Sequence, residues 1–169
     1  MTLKDFAQYK PLFLRANRAL GMAFVEHKLV TAEQLDAANA RLLEFIKNGE
    51  YKLASLLSIL LNTNDSLKED ALIQYQMDTH ELGIINLTSY NLERSLDPRL
   101  DLAACYATRT LPYERQEEFV FLATNFYLSE AVRKFWRERY ANLALIWSVT
   151  TAVNMAESLE RAELKKGTS

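Results

Sequence analysis

The sequence predicts an α+β protein in which N-terminal helical-hairpin repeats, residues 1–82, pack on a C-terminal α/β half, residues 83–164. A helix followed by a short turn and a second, N-capped helix occurs twice, and the two N-caps lie 35 residues apart. A repeat of this size is one helical hairpin, which buries its apolar face only against its copy. Short apolar runs of strand length follow and predict the second half. Residues 165–169 lose apolar periodicity, so we expect a frayed tail.

The first copy is the clearer of the two. Residues 15–26 have helical spacing of apolar side chains, and Thr31 stands three residues ahead of Gln34, which predicts a capping box at the start of the next helix. Asn48-Gly49 is a typical helix stop. Gly21 is unusual inside a helix, where glycine costs about 1 kcal/mol relative to alanine. Either this cost is tolerated, or another element approaches the backbone closely at this position.

The second copy, residues 52–80, is weaker. Leucines recur at helical spacing up to Leu61, the run Asn62-Thr63-Asn64-Asp65 breaks the pattern, and Ser66 stands three residues ahead of Glu69. This spacing predicts a second capping box. Ahead of both copies, residues 2–9 predict a separate short helix, because a proline at position 11 does not allow a simple continuation.

The second half reads as a β-α-β-β-α-β-α sequence of elements. Strands are predicted at residues 84–87, 110–113, 118–123 and 143–147, with a last helix ending near residue 164. The second and third strands flank a charged turn and are expected to pair antiparallel, and helices separate the others. Pro112 places its strand near a sheet edge, and Ser129 is expected to cap the helix that follows. This order is typical of the split βαβ or ferredoxin-like plan, in which helices cover one face of a sheet.

Composition excludes several classes of function. Hydrophobic residues make up 49% and charged residues 25% of the 169 residues, which is typical of a globular chain, and the net charge of −2 gives no field that attracts nucleic acid. Cys105, the single cysteine, allows no internal disulfide and is expected to be buried. No secretory leader is recognisable and the most apolar run is too short to span a bilayer. We therefore expect a cytoplasmic protein without metal or cofactor.

These residues together resemble a known family, the N-terminal domain of type II secretion and type IV pilus assembly ATPases, including general secretory pathway protein E. The resemblance covers about residues 15–162. It is carried by the repeats ALGMAFVEHKLVTAEQLDAANARL and LKEDALIQYQMDTHELGIINL and by the order of elements that follows. The sequence contains no G-x-x-x-x-G-K-[ST] pattern for holding nucleotide phosphates. The resemblance therefore implies the regulatory domain without ATPase chemistry.

Some members of that family bind cyclic di-GMP through an arginine-leucine-glycine start and a glutamine near the end of each repeat. Leu20 and Gly21 match this start, while Ala19 stands at the arginine position and Arg18 precedes it. The second copy begins Lys52-Leu53-Ala54 and lacks the glycine. The resemblance thus implies a degenerate ligand site, whose candidate residues are Arg18, Leu20, Gly21, Lys52 and Leu53.

Other polar and aromatic side chains have simpler structural explanations. His27 and His80 fall at predicted helix ends, where an imidazole interacts with the last carbonyl groups. Most aromatic residues fit the core of their local element. Phe126 and Tyr127 are the exception, because two aromatic side chains at a corner between strand and helix form a candidate protein contact.

Three hypotheses of function follow. The first is a non-catalytic regulatory or interaction module that docks on a secretion or pilus assembly component, such as the ATPase or the inner-membrane platform. The second is a cyclic di-GMP receptor with a degenerate motif. The third is an enzyme, which requires a convergent polar pocket that the sequence does not reveal.

Overall fold

The computed structural model describes residues 2–168, and the α+β class is confirmed. The helices are α1 (Leu3–Glu26), α2 (Ala32–Lys47), α3 (Leu56–Thr63), α4 (Glu69–His80), α5 (Leu92–Ser95), α6 (Leu102–Thr108), α7 (Glu130–Arg139) and α8 (Ala152–Thr168). The strands are β1 (Gly83–Ile84), β2 (Thr110–Arg115), β3 (Phe119–Thr124) and β4 (Ala144–Val149), and a 3-10 turn spans Leu87–Ser89. The division near residue 82 stays a prediction.

The first helix is longer than predicted, because α1 runs through Pro11 without a break. Proline removes one helical hydrogen bond and costs about 3 kcal/mol in a helix interior. Packing on both sides of Pro11 outweighs this cost: the Phe6 ring stacks on Tyr51 at 4.4 Å and meets Phe13 edge-on at 5.3 Å. The expected break is therefore wrong, since tertiary contacts override the local signal.

The first helix corner forms as the sequence predicts. Thr31 Oγ1 accepts from the Gln34 N–H at 3.1 Å, and Gln34 Oε1 accepts from the Thr31 N–H at 2.9 Å. Lys28 in the preceding turn has a left-handed backbone with φ of 57°. Gly49 has φ of 75° after α2, which confirms the predicted helix stop.

The second corner differs from the prediction. The N-cap of α4 is Lys68, with no side-chain cap hydrogen bond, so the Ser66 and Glu69 capping box does not form. Glu69 Oε2 instead accepts from the Ala152 N–H at 3.0 Å, at the start of α8. The carboxylate thereby satisfies a free N–H group of a distant helix, a partner that sequence spacing does not reveal.

The strands form a four-stranded sheet in the order β1-β4-β3-β2. β3 and β4 are parallel over six residues, β1 is parallel to β4, and β2 is antiparallel to β3 at the edge that Pro112 predicted. The split βαβ or ferredoxin-like plan places the first strand inside the sheet, so its strand order is not the one observed. β1 is only two residues long, because Asn86 already accepts from the Thr88 N–H in the next turn.

Helix α1 connects the helical part to the α/β part. It packs against α2 and α3 on one side and against α6 and α7 on the other. Asn17 is buried, donates to the Phe13 carbonyl at 2.9 Å and accepts from the Leu56 N–H at 3.1 Å. Ser129 does not use its hydroxyl as a helix cap but donates to the Ala16 carbonyl at 2.8 Å. One hydrophobic core thus extends through both parts.

The predicted frayed tail is helical in the part the structure describes. α8 continues to Thr168, and the ammonium groups of Lys165 and Lys166 donate to the carbonyl oxygens of Glu93 and Leu100. These contacts lie outside any local pattern, which explains why loss of apolar periodicity was a misleading signal. Ser169 falls outside the described residues.

Arg109 makes the most concentrated contact between the two parts. It ends α6 in a left-handed conformation with φ of 46°, and its guanidinium is buried. Nη2 donates to the carbonyl oxygens of Tyr51 at 3.2 Å, Lys52 at 2.8 Å and Ala54 at 3.1 Å. The two N–H groups of Nη2 therefore serve three backbone acceptors of the turn that leads into α3, with one hydrogen shared between two of them.

We expect Arg109→Met to lower the free energy of unfolding by about 1 to 3 kcal/mol, because the buried Ala54 carbonyl would lose this donor, while the Tyr51 carbonyl keeps the Ala54 N–H at 3.2 Å. Relief of the buried charge offsets part of this loss. Urea denaturation measures the change, with the exposed Arg41→Met as control. A free energy of unfolding within about 0.5 kcal/mol of the parent would show that the turn keeps its structure without Arg109.

Candidate functional site

A groove lies between α1 and α2, and six of the side chains that line it follow one spacing. Each helix contributes an apolar, a polar and an apolar residue four positions apart, so the three lie along one face over about 12 Å. They are Leu14, Arg18 and Met22 of α1 and Leu35, Asn39 and Leu43 of α2. The α1–α2 groove has a volume of about 420 Å³, within the range of ligand pockets.

The ends of the α1–α2 groove are apolar and open. Met22 is 59% and Leu43 58% exposed, and both rank among the exposed large hydrophobic residues of the described chain. Isolated exposed apolar residues need no explanation, but a lined groove that contains several is typical of a binding surface. The groove is therefore equipped to take apolar groups at both ends.

The centre of the α1–α2 groove is polar. Arg18 and Asn39 lie at its middle, and within residues 2–168 neither side chain has a hydrogen bond or an ion pair. Neighbouring Asn17 is different, because both ends of its amide are used inside the protein. The guanidinium and the amide together offer donors for an anionic or carbonyl-bearing group.

The other ligand residues predicted in the first copy lie under this groove. Leu20 is buried in the core. Gly21 is buried where α1 meets α2 and α3, and a Cβ at this position would lie 2.6 Å from Leu35 Cδ1 and 3.1 Å from Leu56 Cδ2. The glycine therefore allows close helix packing, the second of the two explanations considered from the sequence. Of the three, Arg18 alone presents its side chain to the groove.

Lys52 and Leu53, predicted as ligand residues of the second copy, line a different cleft. This Arg109 cleft, of about 450 Å³, lies between residues 52–53, α6 and α8, and its lining includes Tyr106, Arg109 and Glu163. No residue lines both it and the α1–α2 groove. The structure thus places Arg18 in one cleft and Lys52 and Leu53 in another, and Leu20 and Gly21 are not among the described lining of either.

The predicted protein contact at Phe126 is wrong, because its side chain is 0% exposed and belongs to the core. Tyr127 is half-buried, and its ring lies 5.7 Å from Trp147 and 5.3 Å from His80. The Arg133 guanidinium lies 5.2 Å above the same ring. Packing thus covers the corner between strand and helix that the sequence predicts to be exposed.

The two histidines and the cysteine line neither the α1–α2 groove nor the Arg109 cleft. Burial, together with the positive charges of Arg133 and His27, lowers the pKa of His80. Cys105 is buried, and burial raises the pKa of its thiol, which leaves it protonated at neutral pH. Within the described chain, no three His, Cys, Asp or Glu residues are grouped so that they could hold a metal ion.

Within residues 2–168, no helix combines the length and the apolarity needed to cross a bilayer.

Comparisons with known proteins agree with this architecture at the level of fold. No model of a known protein family matches the sequence, and no curated protein is significantly similar to it. The chain is similar to the structure of MshE with cdg, with a TM-score of 0.53 and 17% sequence identity. The similarity covers 84% of this chain and 96% of the MshE chain. At this identity the likeness shows a shared fold, which supports that part of the resemblance drawn from the sequence.

Sequence reasoning missed the apolar lining of the α1–α2 groove and the role of Arg109. The groove had a signal, since its residues recur every four positions on two successive helices, but each apolar member also fits a core-facing stripe. No sequence signal indicated the role of Arg109, because its three acceptors lie more than fifty positions earlier in the chain.

A pH dependence follows from the ion pair at the Arg109 cleft. Lys52 Nζ donates to both carboxylate oxygens of Glu163 at 2.8 Å, and Tyr106 donates to Glu163 at 2.9 Å. Burial opposes ionisation, but hydrogen bonds, among them those from Lys52 and Tyr106, hold the pKa of Glu163 at about 2, below its ordinary value of 4.5. Between these values the unfolded chain binds the proton more tightly, so this stabilisation is present above pH 4.5 and is lost as the pH falls towards 2.

We expect Glu163→Gln to lower the free energy of unfolding by about 1 to 2 kcal/mol at pH 7 and by progressively less below pH 4.5. Chemical denaturation of both proteins at several pH values measures this difference. Glu44→Gln, which removes an exposed pair with Arg41, serves as control. A deficit that is the same at pH 3 and pH 7 would contradict the role of ionised Glu163.

Proposed function

We propose that this chain is a non-catalytic regulatory and protein-interaction module that docks on a secretion or pilus assembly component through the α1–α2 groove. The observation that carries the proposal is the groove itself, with matched apolar ends and an unpartnered polar centre. An amphipathic segment with a carboxylate between two apolar anchors has the complementary pattern, since the groove offers Arg18 between Leu14 and Met22.

The kind of partner comes from two lines of support. The chain shares a fold with MshE, and its sequence resembles the N-terminal domain of the secretion and pilus ATPases. In those systems a domain of this kind meets the ATPase or the inner-membrane platform. The platform component is our first choice of partner for the groove.

Groove variants test the docking role. We expect Met22→Glu and Leu43→Glu each to weaken binding to the purified cytoplasmic domain of the platform component at least tenfold, about 1.4 kcal/mol, because each buries a charge at an apolar anchor. Val153→Glu is the matched control, since Val153 is at least as exposed and lines neither the groove nor the Arg109 cleft. Binding that survives both groove variants, or fails equally in the control, would contradict this surface.

A cyclic di-GMP receptor is the second candidate function, and a specific observation favours it. The groove places the donors of Arg18 and Asn39 between apolar ends, an arrangement that suits a ligand with central phosphates and flat bases on either side. The fold neighbour MshE was solved with cdg. Here the ligand would use Arg18 of the predicted site together with Asn39, and not Lys52 or Leu53.

Calorimetry with cyclic di-GMP tests this second function. We expect micromolar binding that Arg18→Met and Asn39→Leu each weaken about tenfold, because each removes donors from the centre of the groove. Lys52→Met is the control and should leave the affinity unchanged. No heat at 1 mM ligand would exclude the receptor function and leave the docking function standing.

A further inference from the structure

The Arg109 cleft contains a buried positive charge without a carboxylate partner. The Arg109 side chain is 5% exposed, and within residues 2–168 it forms no ion pair. Nη2 makes the three bonds to carbonyl groups described above, whereas Nε is buried without a partner and Nη1 donates to no protein group. The guanidinium therefore keeps donors available on the side that lines the cleft.

A charge in this position favours a bound anion. Burial lowers the pKa of Arg109 to about 10, so the group stays charged at neutral pH. Carbonyl dipoles and the Tyr106 ring, 5.8 Å from the guanidinium carbon, compensate this charge only in part. Because buried charges are otherwise paired in proteins, an anion that reaches Nη1 is favoured.

The rest of the lining defines what accompanies that anion. Leu53 and Leu164 are 64% and 65% exposed, and with Ala156 they form apolar walls. Lys52 donates to Glu163, and its ammonium has a third N–H for another acceptor. The carboxylate of Glu160 also lines the cleft, and its oxygens can accept from an N–H donor of a ligand.

We infer that the Arg109 cleft binds the C-terminal carboxylate of a peptide with apolar last residues. The carboxylate pairs with Arg109 and Lys52, the last apolar side chains lie on Leu53 and Leu164, and Glu160 accepts from a peptide N–H. A polyphosphate fits less well, because Glu160 and Glu163 repel a multiply charged anion. Capture of a C-terminal carboxylate is a recurring mode of peptide recognition.

This inference goes beyond the proposed function and does not depend on it. The two sites share no lining residue, so either one can fail while the other stands.

The probe for the experiment is the peptide acetyl-Leu-Val-Leu with a free carboxylate, compared with the same peptide as its C-terminal amide. Titrated into isotope-labelled protein, the free acid should shift the Arg109 Nε–H signal and the amide signals of Lys52, Leu53 and Glu160. The amide should bind at least tenfold more weakly. Equal affinities, or shifts confined to residues outside the cleft, would overturn the inference.

Arg109 variants are unsuitable as a test because they also remove the contacts to the Tyr51 turn. Lys52→Met and Leu164→Asp act on the outer part of the cleft, and each should weaken binding of the free-acid peptide about fivefold or more. Leu43→Asp in the α1–α2 groove should leave this affinity unchanged. Unchanged affinity in both cleft variants would overturn the inference. Inorganic phosphate at 10 mM should not displace the peptide, and displacement would point to a general phosphate site instead.

Discussion

The contact between Arg109 and the turn before α3 is the constraint on which the assembly of this protein depends. Within the turn at residues 51–54 the Ala54 N–H donates to the Tyr51 carbonyl at 3.2 Å, and Arg109 Nη2 donates to the carbonyl oxygens of Tyr51, Lys52 and Ala54. Arg109 also ends α6 and directly precedes β2. A single side chain thus fixes where the second helical hairpin lies relative to the first antiparallel strand pair. The left-handed backbone at Arg109 is maintained by these contacts, since a non-glycine residue adopts it at a cost.

The sequence was a good guide wherever structure is local. The capping box at Thr31, the stop at Gly49 and the edge position of Pro112 depend on neighbours within a few residues, and each forms as predicted. Prediction failed where a distant element supplied the partner. The carboxylate of Glu69 caps α8 instead of its own helix, and packing against Tyr51 carries α1 through Pro11. Strand order could not be predicted for the same reason. It depends on the pairing of β4 between β1 and β3, which are distant in the sequence.

The candidate sites show the same division between local pattern and tertiary placement. A close approach of another element was one of the two explanations that the sequence left open for Gly21, and the structure shows it. The sequence could not show that Arg18 faces a groove while Leu20 faces the core. It also could not show that Lys52 and Leu53 belong to a separate cleft. Phe126 illustrates the opposite error, since a corner that looks exposed in sequence is covered by the sheet and its helices.

Helix α1 belongs to both parts of the molecule, and this has a consequence for how the chain can move and unfold. One continuous rod, about 36 Å long, touches the hairpins on one flank and α6 and α7 on the other. Dividing the chain near residue 82 would remove α1, which packs on the core of the C-terminal half. Folding is therefore expected to be cooperative over the whole chain. A tilt of α1 at the flank that contacts the hairpins would also displace α6 and α7, which contact its other flank.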